Sequence, residues 1–316
     1  DVYLMVGSGT TVIDAGLGSA FYTGEKVIVG VNGFFGERLA MVARSYGLEV
    51  VRVDSEWGQS LRPQDFQAAL ERNPDARAVC VVHLETSTAV INPIEEIGAL
   101  CRRYDRLYLV DAVSSLGGLP VRVDDWGIDL CASCSQKCLG APPGIAPLSI
   151  SPRAWQEIDR APGKNHGWYG DLRIWRSFAE DAAANHPTPI TMATSNVAAL
   201  RVSLESLLAE GIDGRVERYR ALALRLRGGL RQAGMQPYTP DECLAPVLTA
   251  AYGPDGVPTG QIVAYLASHN HIRIAGGLGR LKDRIFRIGH MSPTTTEEDI
   301  DAVVQGLEQF SREMKN

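Results

Sequence analysis

Lys137 is the first residue whose surroundings suggest chemistry. It follows a small, apolar run, Leu130 to Cys134. It precedes Cys138-Leu139-Gly140-Ala141-Pro142-Pro143-Gly144, a segment that cannot continue a strand. A lysine so placed stands at the mouth of a sheet, and its neutral amine is a nucleophile for an aldehyde carbon. The same stretch also reads as an ordinary surface-loop lysine.

Four other stretches place polar or aromatic groups just after apolar runs. Gly7-Ser8-Gly9-Thr10-Thr11 joins a strand to a helix, and the free amides of a helix start favour an anion. A Gly-rich turn without a ligand is the alternative, and Val12 breaks the dinucleotide fingerprint. Asp111 closes the run Leu107–Val110, where a buried carboxylate needs a partner. That partner is either a cationic ring nitrogen or the following loop. In His83-Leu84-Glu85-Thr86-Ser87-Thr88, Thr86 and Ser87 offer hydroxyls to a ligand oxygen or to the turn itself. In Asn32-Gly33-Phe34-Phe35-Gly36-Glu37-Arg38, either ring can stack on a flat ligand or belong to the core. Arg287, inside Ile285-Phe286-Arg287-Ile288-Gly289, asks for a carboxylate, a phosphate or an internal salt bridge.

The elements that must hold these residues alternate. Strands are predicted at Val2–Val6, Lys26–Val31, Glu49–Val53, Ala76–Leu84, Leu107–Val113, Leu130–Ser135 and Ile145–Ile150. Helices are predicted at Thr10–Phe21, Phe35–Tyr46, Arg62–Arg72 and Pro93–Arg103. Continuously apolar, Val-rich strands alternating with helices predict an α/β fold: a mostly parallel seven-stranded sheet with helices on both faces. Ligands of such sheets sit at the carboxyl ends of the strands, where the residues above lie. Residues 151–192 read as less regular. Helices follow at Ser195–Ala209 and Val216–Ala233, broken at Glu210-Gly211-Ile212. Strand-like Val247–Ala251, Ile272–Ala275 and Ile285–Gly289, a helix at Gly260–His269 and a closing helix from Glu297 to Arg312 complete the chain. Thr294 and Glu297 are predicted as the capping box of that last helix. Two domains are expected: 1–211, large and ligand-binding, and 212–316, small and α+β.

Composition narrows the partners. A formal charge of −6 disfavours nucleic acid and anionic membranes. No apolar run reaches spanning length. Six cysteines, mostly inside predicted elements, fit reduced thiols in the cytoplasm. Cys131-x-x-Cys134 lacks a second pair, so no metal site is expected. The chain opens at Asp1 directly into a core strand, which suggests that a further segment precedes it.

A lysine, an anion cradle, an acid, a stacking ring and hydroxyl donors are what an aldehyde-bearing, phosphorylated aromatic ring requires. Pyridoxal 5'-phosphate is such a group. Along essentially its whole length the sequence resembles the class V aminotransferases of fold-type I, closest to the alanine–glyoxylate and serine–pyruvate group. The stretches carrying the resemblance are Gly7-Ser8-Gly9, Asn32 to Arg38, His83 to Pro93, Val110 to Gly118, Ser135 to Gly144, Gly276-Gly277-Leu278-Gly279 and Arg287-Ile288-Gly289-His290.

The resemblance implies a role for each residue. Lys137 is the Schiff-base lysine that moves the proton, and Asp111 keeps the pyridine nitrogen protonated. Ser8, Gly9, Thr10 and Gln136 belong to the phosphate site. Phe35 stacks on the ring where a Trp is usual, Val113 packs on its other face, and Thr86 contacts the phenolic oxygen. Arg287 grips the substrate carboxylate. Thr188, in Asn185-His186-Pro187-Thr188, reaches the phosphate of a neighbouring subunit, although the Tyr often found three residues earlier is here Asn185. A homodimer with shared active sites is implied, as are a small amino donor and glyoxylate or pyruvate as acceptor. Pyridoxamine–pyruvate and ureidoglycine–glyoxylate transamination are close alternatives. C–S cleavage of the cysteine desulfurase or lyase kind is another, but it needs a mobile nucleophilic cysteine; Cys138 is expected to point away from the site, and only Cys243 suggests an exposed loop. A non-enzymatic regulator lacks the appended basic segment it would need.

Overall fold

The structure is a computed structural model and describes residues 1–160 and 167–314. The first part runs β1 (Val2–Gly7), α1 (Gly9–Ala20), β2 (Lys26–Val31), α2 (Phe34–Ser45), β3 (Glu49–Asp54), α3 (Pro63–Arg72), β4 (Ala78–Val82), β5 (Leu84–Glu85), β6 (Val90–Ile91), α4 (Ile94–Arg103), β7 (Leu107–Asp111), β8 (Leu130–Ala132) and β9 (Gly144–Ile150). Next come α5 (Pro152–Asp159), α6 (Gly167–Gly170), α7 (Leu172–Asp181) and α8 (Thr194–Glu210). The chain closes with α9 (Ile212–Gln232), β10 (Leu248–Tyr252), α10 (Thr259–His269), β11 (Ala275–Gly276), β12 (Ile285–Gly289) and α11 (Glu297–Glu313).

Seven strands form one sheet in the order β1-β9-β8-β7-β4-β2-β3. The β8-β7-β4-β2-β3 run is parallel throughout, and β9 is antiparallel to both its neighbours, so the sheet is mixed with one reversed strand. The period-2 geometry of a strand explains the unbroken apolar runs. Val27, Val29 and Val31 of β2 enter a core with α1, α2, α5 and α7. Ile28 enters the opposite core with α3 and α4. Both faces are thus dry, and polar side chains are pushed to the strand ends.

A second sheet, β10-β12-β11, is antiparallel. Leu222, Leu226 and Leu230 of α9, Ile262 and Leu266 of α10, and Ile300, Val303, Leu307 and Phe310 of α11 pack on it, at the three- and four-residue spacing of helix faces. Gly211 stands between α8 and α9 with φ 81°, the break expected there.

Several local expectations need correction. The predicted strand Ala76–Leu84 is divided. β4 ends at Val82, and Leu84–Glu85 turns off to pair with Val90–Ile91, because Asn92 donates to the carbonyl of Val82 and holds the chain back on itself. Regular pairing of the run to Ser135 ends at Ala132, because the next partner along β9 is Pro147, which has no amide to donate. The Ser133 and Ser135 amides still donate to the Pro147 and Ile145 carbonyls. Of Ile272–Ala275, only Ala275 is in a strand. Residues 151–192 hold three helices that their aromatic content disguised, apart from 161–166, which lie outside the described residues. The box on α11 is Thr296 with Asp299, not Thr294 with Glu297: the Thr296 amide donates to Asp299 Oδ2 at 3.0 Å and the Asp299 amide to Thr296 Oγ1 at 3.3 Å. Three threonines followed by three acids leave the register open in sequence. Burial of Ile300 and Val303 fixes it.

Candidate active site

Lys137, Asp111 and Phe35 meet in a cavity of about 220 Å³ at the carboxyl ends of the parallel strands. The same cavity is lined by Ser8, Gly9, Thr10, Thr86, Val113 and Gln136. The chain places Lys137 through a tight turn. The Gly140 amide donates to the Lys137 carbonyl at 2.9 Å, Ala141 returns to Ser135, and the Ser135 hydroxyl bonds the Pro142 carbonyl at 2.6 Å. Gly140 has φ 75°, and a Cβ there would sit 2.3 Å from the Pro293 ring. Among the described residues Lys137 forms no ion pair.

Asp111 ends β7 and is 4 % exposed. Its Oδ1 accepts the Val113 amide at 2.9 Å, and no cation pairs with it among the described residues. Burial pushes its carboxyl above the usual carboxylate range, while the Val113 amide and the charges of Arg38 and Lys137 pull it back. Bonding of the following loop therefore uses one oxygen and leaves a buried acid facing the cavity.

The anion cradle is the start of α1. Ser8 is its N-cap, and Gly9 and Thr10 supply first-turn amides that have no intrahelical acceptor. Gly9 allows close packing: a Cβ there would lie 2.2 Å from Val113 Cγ2. Gln136 has a buried Oε1 with no hydrogen-bond partner.

Phe35 lies in the first turn of α2, and here the structure adds two residues that sequence reasoning missed. Arg38 lines the cavity and stacks on Phe35, its guanidinium carbon 4.5 Å from the ring centroid. Its spacing of three from Phe35 on a helix was the available signal. Glu85 is fully buried, and its Oε2 accepts the amides of Phe35 and Gly36 at 3.0 and 2.9 Å. Ser87 is committed to the same junction: its hydroxyl bonds Glu85 Oε1 and accepts the Phe34 amide at 2.9 Å. Of the two hydroxyls at this strand end, only that of Thr86 is on the cavity. Phe34 is 37 % exposed and is not part of the lining.

Arg287, on β12, is half-buried. Its Nε donates to the Gly276 carbonyl at 2.9 Å and its Nη1 to the Thr86 carbonyl at 3.0 Å. No carboxylate pairs with it among the described residues. Burial lowers its pKa from the ordinary guanidinium value, and the charge of Glu85 opposes that. Thr188 lies elsewhere: it borders a surface groove with Tyr3, Trp175 and Met192, and its hydroxyl bonds the Ile190 carbonyl. None of the six cysteines lines the cavity. Cys138 turns away to the Ser114 carbonyl, and burial pushes its thiol up to about 12. Cys243 is half-buried beside a different groove.

The chain is similar to known proteins along most of its length. An uncharacterised aminotransferase of Methanocaldococcus jannaschii is 40% identical over 291 residues, which is 92% of this chain and 74% of that protein. The crystal structure of an alanine–glyoxylate aminotransferase from Nostoc superposes with a TM-score of 0.92 at 33% identity, covering 98% of this chain and 81% of the other. That of a ureidoglycine–glyoxylate aminotransferase from Bacillus subtilis gives 0.93 at 32%, covering 100% and 81%. The family model for class-V aminotransferases matches residues 6–303, from the end of β1 into α11 and across every residue of the cavity, and the chain belongs to that family.

Proposed function

We propose that this aminotransferase uses pyridoxal 5'-phosphate and moves an amino group from a small, alanine- or serine-like amino acid to glyoxylate or pyruvate. The observation that carries the reading is the set of groups the chain leaves unspent around one cavity: the amine of Lys137, the acid of Asp111, the amide of Gln136 and the first amides of α1. The family implies this cofactor, and these residues fit it. Ser8, Gly9, Thr10 and Gln136 would hold the phosphate, Phe35 and Val113 the two ring faces, Thr86 the phenolic oxygen and Asp111 the ring nitrogen. When bound, the cofactor supplies an aldehyde for the amino group and a ring that takes up the electron pair released at Cα. Lys137 Nζ would take the proton from Cα of the amino donor and deliver it to the former aldehyde carbon, and would carry it the opposite way for the keto acceptor. Arg287 would hold the substrate carboxylate, its fork fixed by two backbone carbonyls.

The relatives named for alanine–glyoxylate and ureidoglycine–glyoxylate exchange support the acceptor. No cysteine on the cavity supplies a nucleophile for C–S cleavage, which favours transfer over that chemistry. Five of the six thiols are buried and all six are free, which supports a reducing, cytoplasmic setting. No helix among the described residues is long and apolar enough to cross a membrane. We infer a homodimer in which Thr188 serves the neighbour's phosphate.

A half-reaction tests the proposal. An amino donor added alone should bleach the visible absorbance of the loaded enzyme, and glyoxylate or pyruvate should restore it. Release of ammonia or sulfide without bleaching overturns it.

A further inference from the structure

We propose that Glu85 is a positioning residue that sets the ring-stacking helix and the carboxylate-binding arginine relative to one another. Its carboxylate is fully buried and forms no ion pair among the described residues. It accepts four hydrogen bonds instead. Oε2 takes the amides of Phe35 and Gly36, and Oε1 takes the amide and hydroxyl of Ser87 at 3.0 and 2.5 Å. With Ser87 Oγ on the Phe34 amide, residues 85 and 87 occupy the first three amides of α2. Those amides have no acceptor within the helix, and the positive end of a helix favours an anion. The fit is tight, because a Cβ on Gly33 would lie 2.3 Å from the Glu85 carboxyl carbon.

Thr86, between these two residues, faces the other way. Its side chain is on the cavity, and its carbonyl accepts Arg287 Nη1 at 3.0 Å. One turn of three residues therefore fixes Phe35 from behind and seats Arg287 in front. A helix cap alone would need only the first of these connections. A glutamine at position 85 cannot reproduce them. Whichever way its amide lies, an NH₂ group faces either the two helix amides or the two donors of Ser87. The turn must shift, and both attached elements shift with it.

The proposal rests on reading the cavity as the cofactor site. The test compares Glu85→Gln with Phe35→Leu and Arg287→Met in the holoenzyme. Two constants are measured besides activity: the rate of pyridoxal phosphate loss on dilution, and the affinity for propionate, a carboxylate that cannot turn over, read from the cofactor absorbance. Glu85→Gln should worsen both by about tenfold, the scale of losing one charge-assisted hydrogen bond. Phe35→Leu should change chiefly the first and Arg287→Met chiefly the second. Glu85→Asp, which keeps the charge, should recover part of both. A folded Glu85→Gln protein with both constants within about twofold of wild type, or with only one changed, overturns the role. If that variant does not fold, Ser87→Ala removes one link of the same junction, and unchanged constants there overturn it equally. A wild-type protein that takes up no cofactor sinks the reading of the cavity instead.

Discussion

Arg287 Nη1 donates to the carbonyl oxygen of Thr86 at 3.0 Å, joining residues 201 positions apart. The bond ties the second sheet to the strand end that borders the cavity. It also orients a guanidinium that pairs with no carboxylate among the described residues. Replacing Arg287 with Met should raise KM for both amino and keto acids by about 10- to 100-fold, the range for losing hydrogen bonds to a charged group. The visible spectrum of the loaded enzyme should be unchanged, because Arg287 does not line the cavity. Steady-state kinetics beside an absorbance scan decide it. A variant that loses its spectrum would place Arg287 in cofactor binding instead.

Lys137 is the nucleophile of the proposed reading. Borohydride treatment of the loaded wild type should leave a permanent mass increment on the peptide containing Lys137. In Lys137→Ala no increment should remain on that peptide, and turnover should fall at least about a hundredfold, as when a positioned acid–base group is removed. Peptide mass mapping reads the result, and an increment carried by another lysine rejects the assignment.

Much of this site was legible because the parallel sheet is dry on both faces. The strand interiors could be read from continuous apolar runs, and so Asp111, Lys137 and the Gly-rich start of α1 stood out at their ends. What escaped was set by contacts between distant segments. Glu85 looked like one more polar residue in a hydroxyl-rich turn, because its partners, Phe35 and Gly36, are about fifty positions away. Arg38 was part of a motif but had no role until the helix put it on the Phe35 ring. The α11 cap was misplaced by two residues because its sequence offers several registers and only burial of the apolar stripe selects one. The helices between 152 and 181 went unread for a related reason: their buried faces are built on Trp155 and Trp175, which suggest loops as readily as helices.

Gly9 tests the close approach of α1 to the cavity. A methyl group at this position would meet Val113 Cγ2 at 2.2 Å, and Val113 is β-branched with few rotamers to escape into. Gly9→Ala should therefore displace Val113, lower cofactor affinity by about tenfold and cost about 1–3 kcal/mol of stability from overpacking. Gly9→Ala combined with Val113→Ala should recover most of the stability, since the colliding atoms are gone. Thermal melting of the single and double variants, with cofactor titration, checks both halves; a single variant as stable as wild type would show that the cradle is looser than its geometry indicates.

Asp111 separates function from stability. Its folded-state pKa is raised, chiefly by burial, so the folded cofactor-free protein holds this proton more tightly than the unfolded chain does. Above the folded pKa both states are ionised and the fold carries the full cost of a buried charge. As pH falls through the folded value towards the unfolded one, the folded state takes up the proton first and the cost disappears. Asp111→Asn removes the charge at every pH and keeps the shape. The cofactor-free variant should therefore melt at or above the wild-type temperature at pH 7, and the difference should shrink as pH falls towards the ordinary carboxylate range. Transamination should drop by about 10²–10³-fold, the scale of removing one group matched to charge that develops during reaction. Melting curves of the cofactor-free proteins from pH 7 to 4, set beside turnover of the loaded ones, give the comparison. An Asp111→Asn protein that is both less stable at pH 7 and fully active would mean that the carboxylate serves the loop through Val113 and not the ring nitrogen.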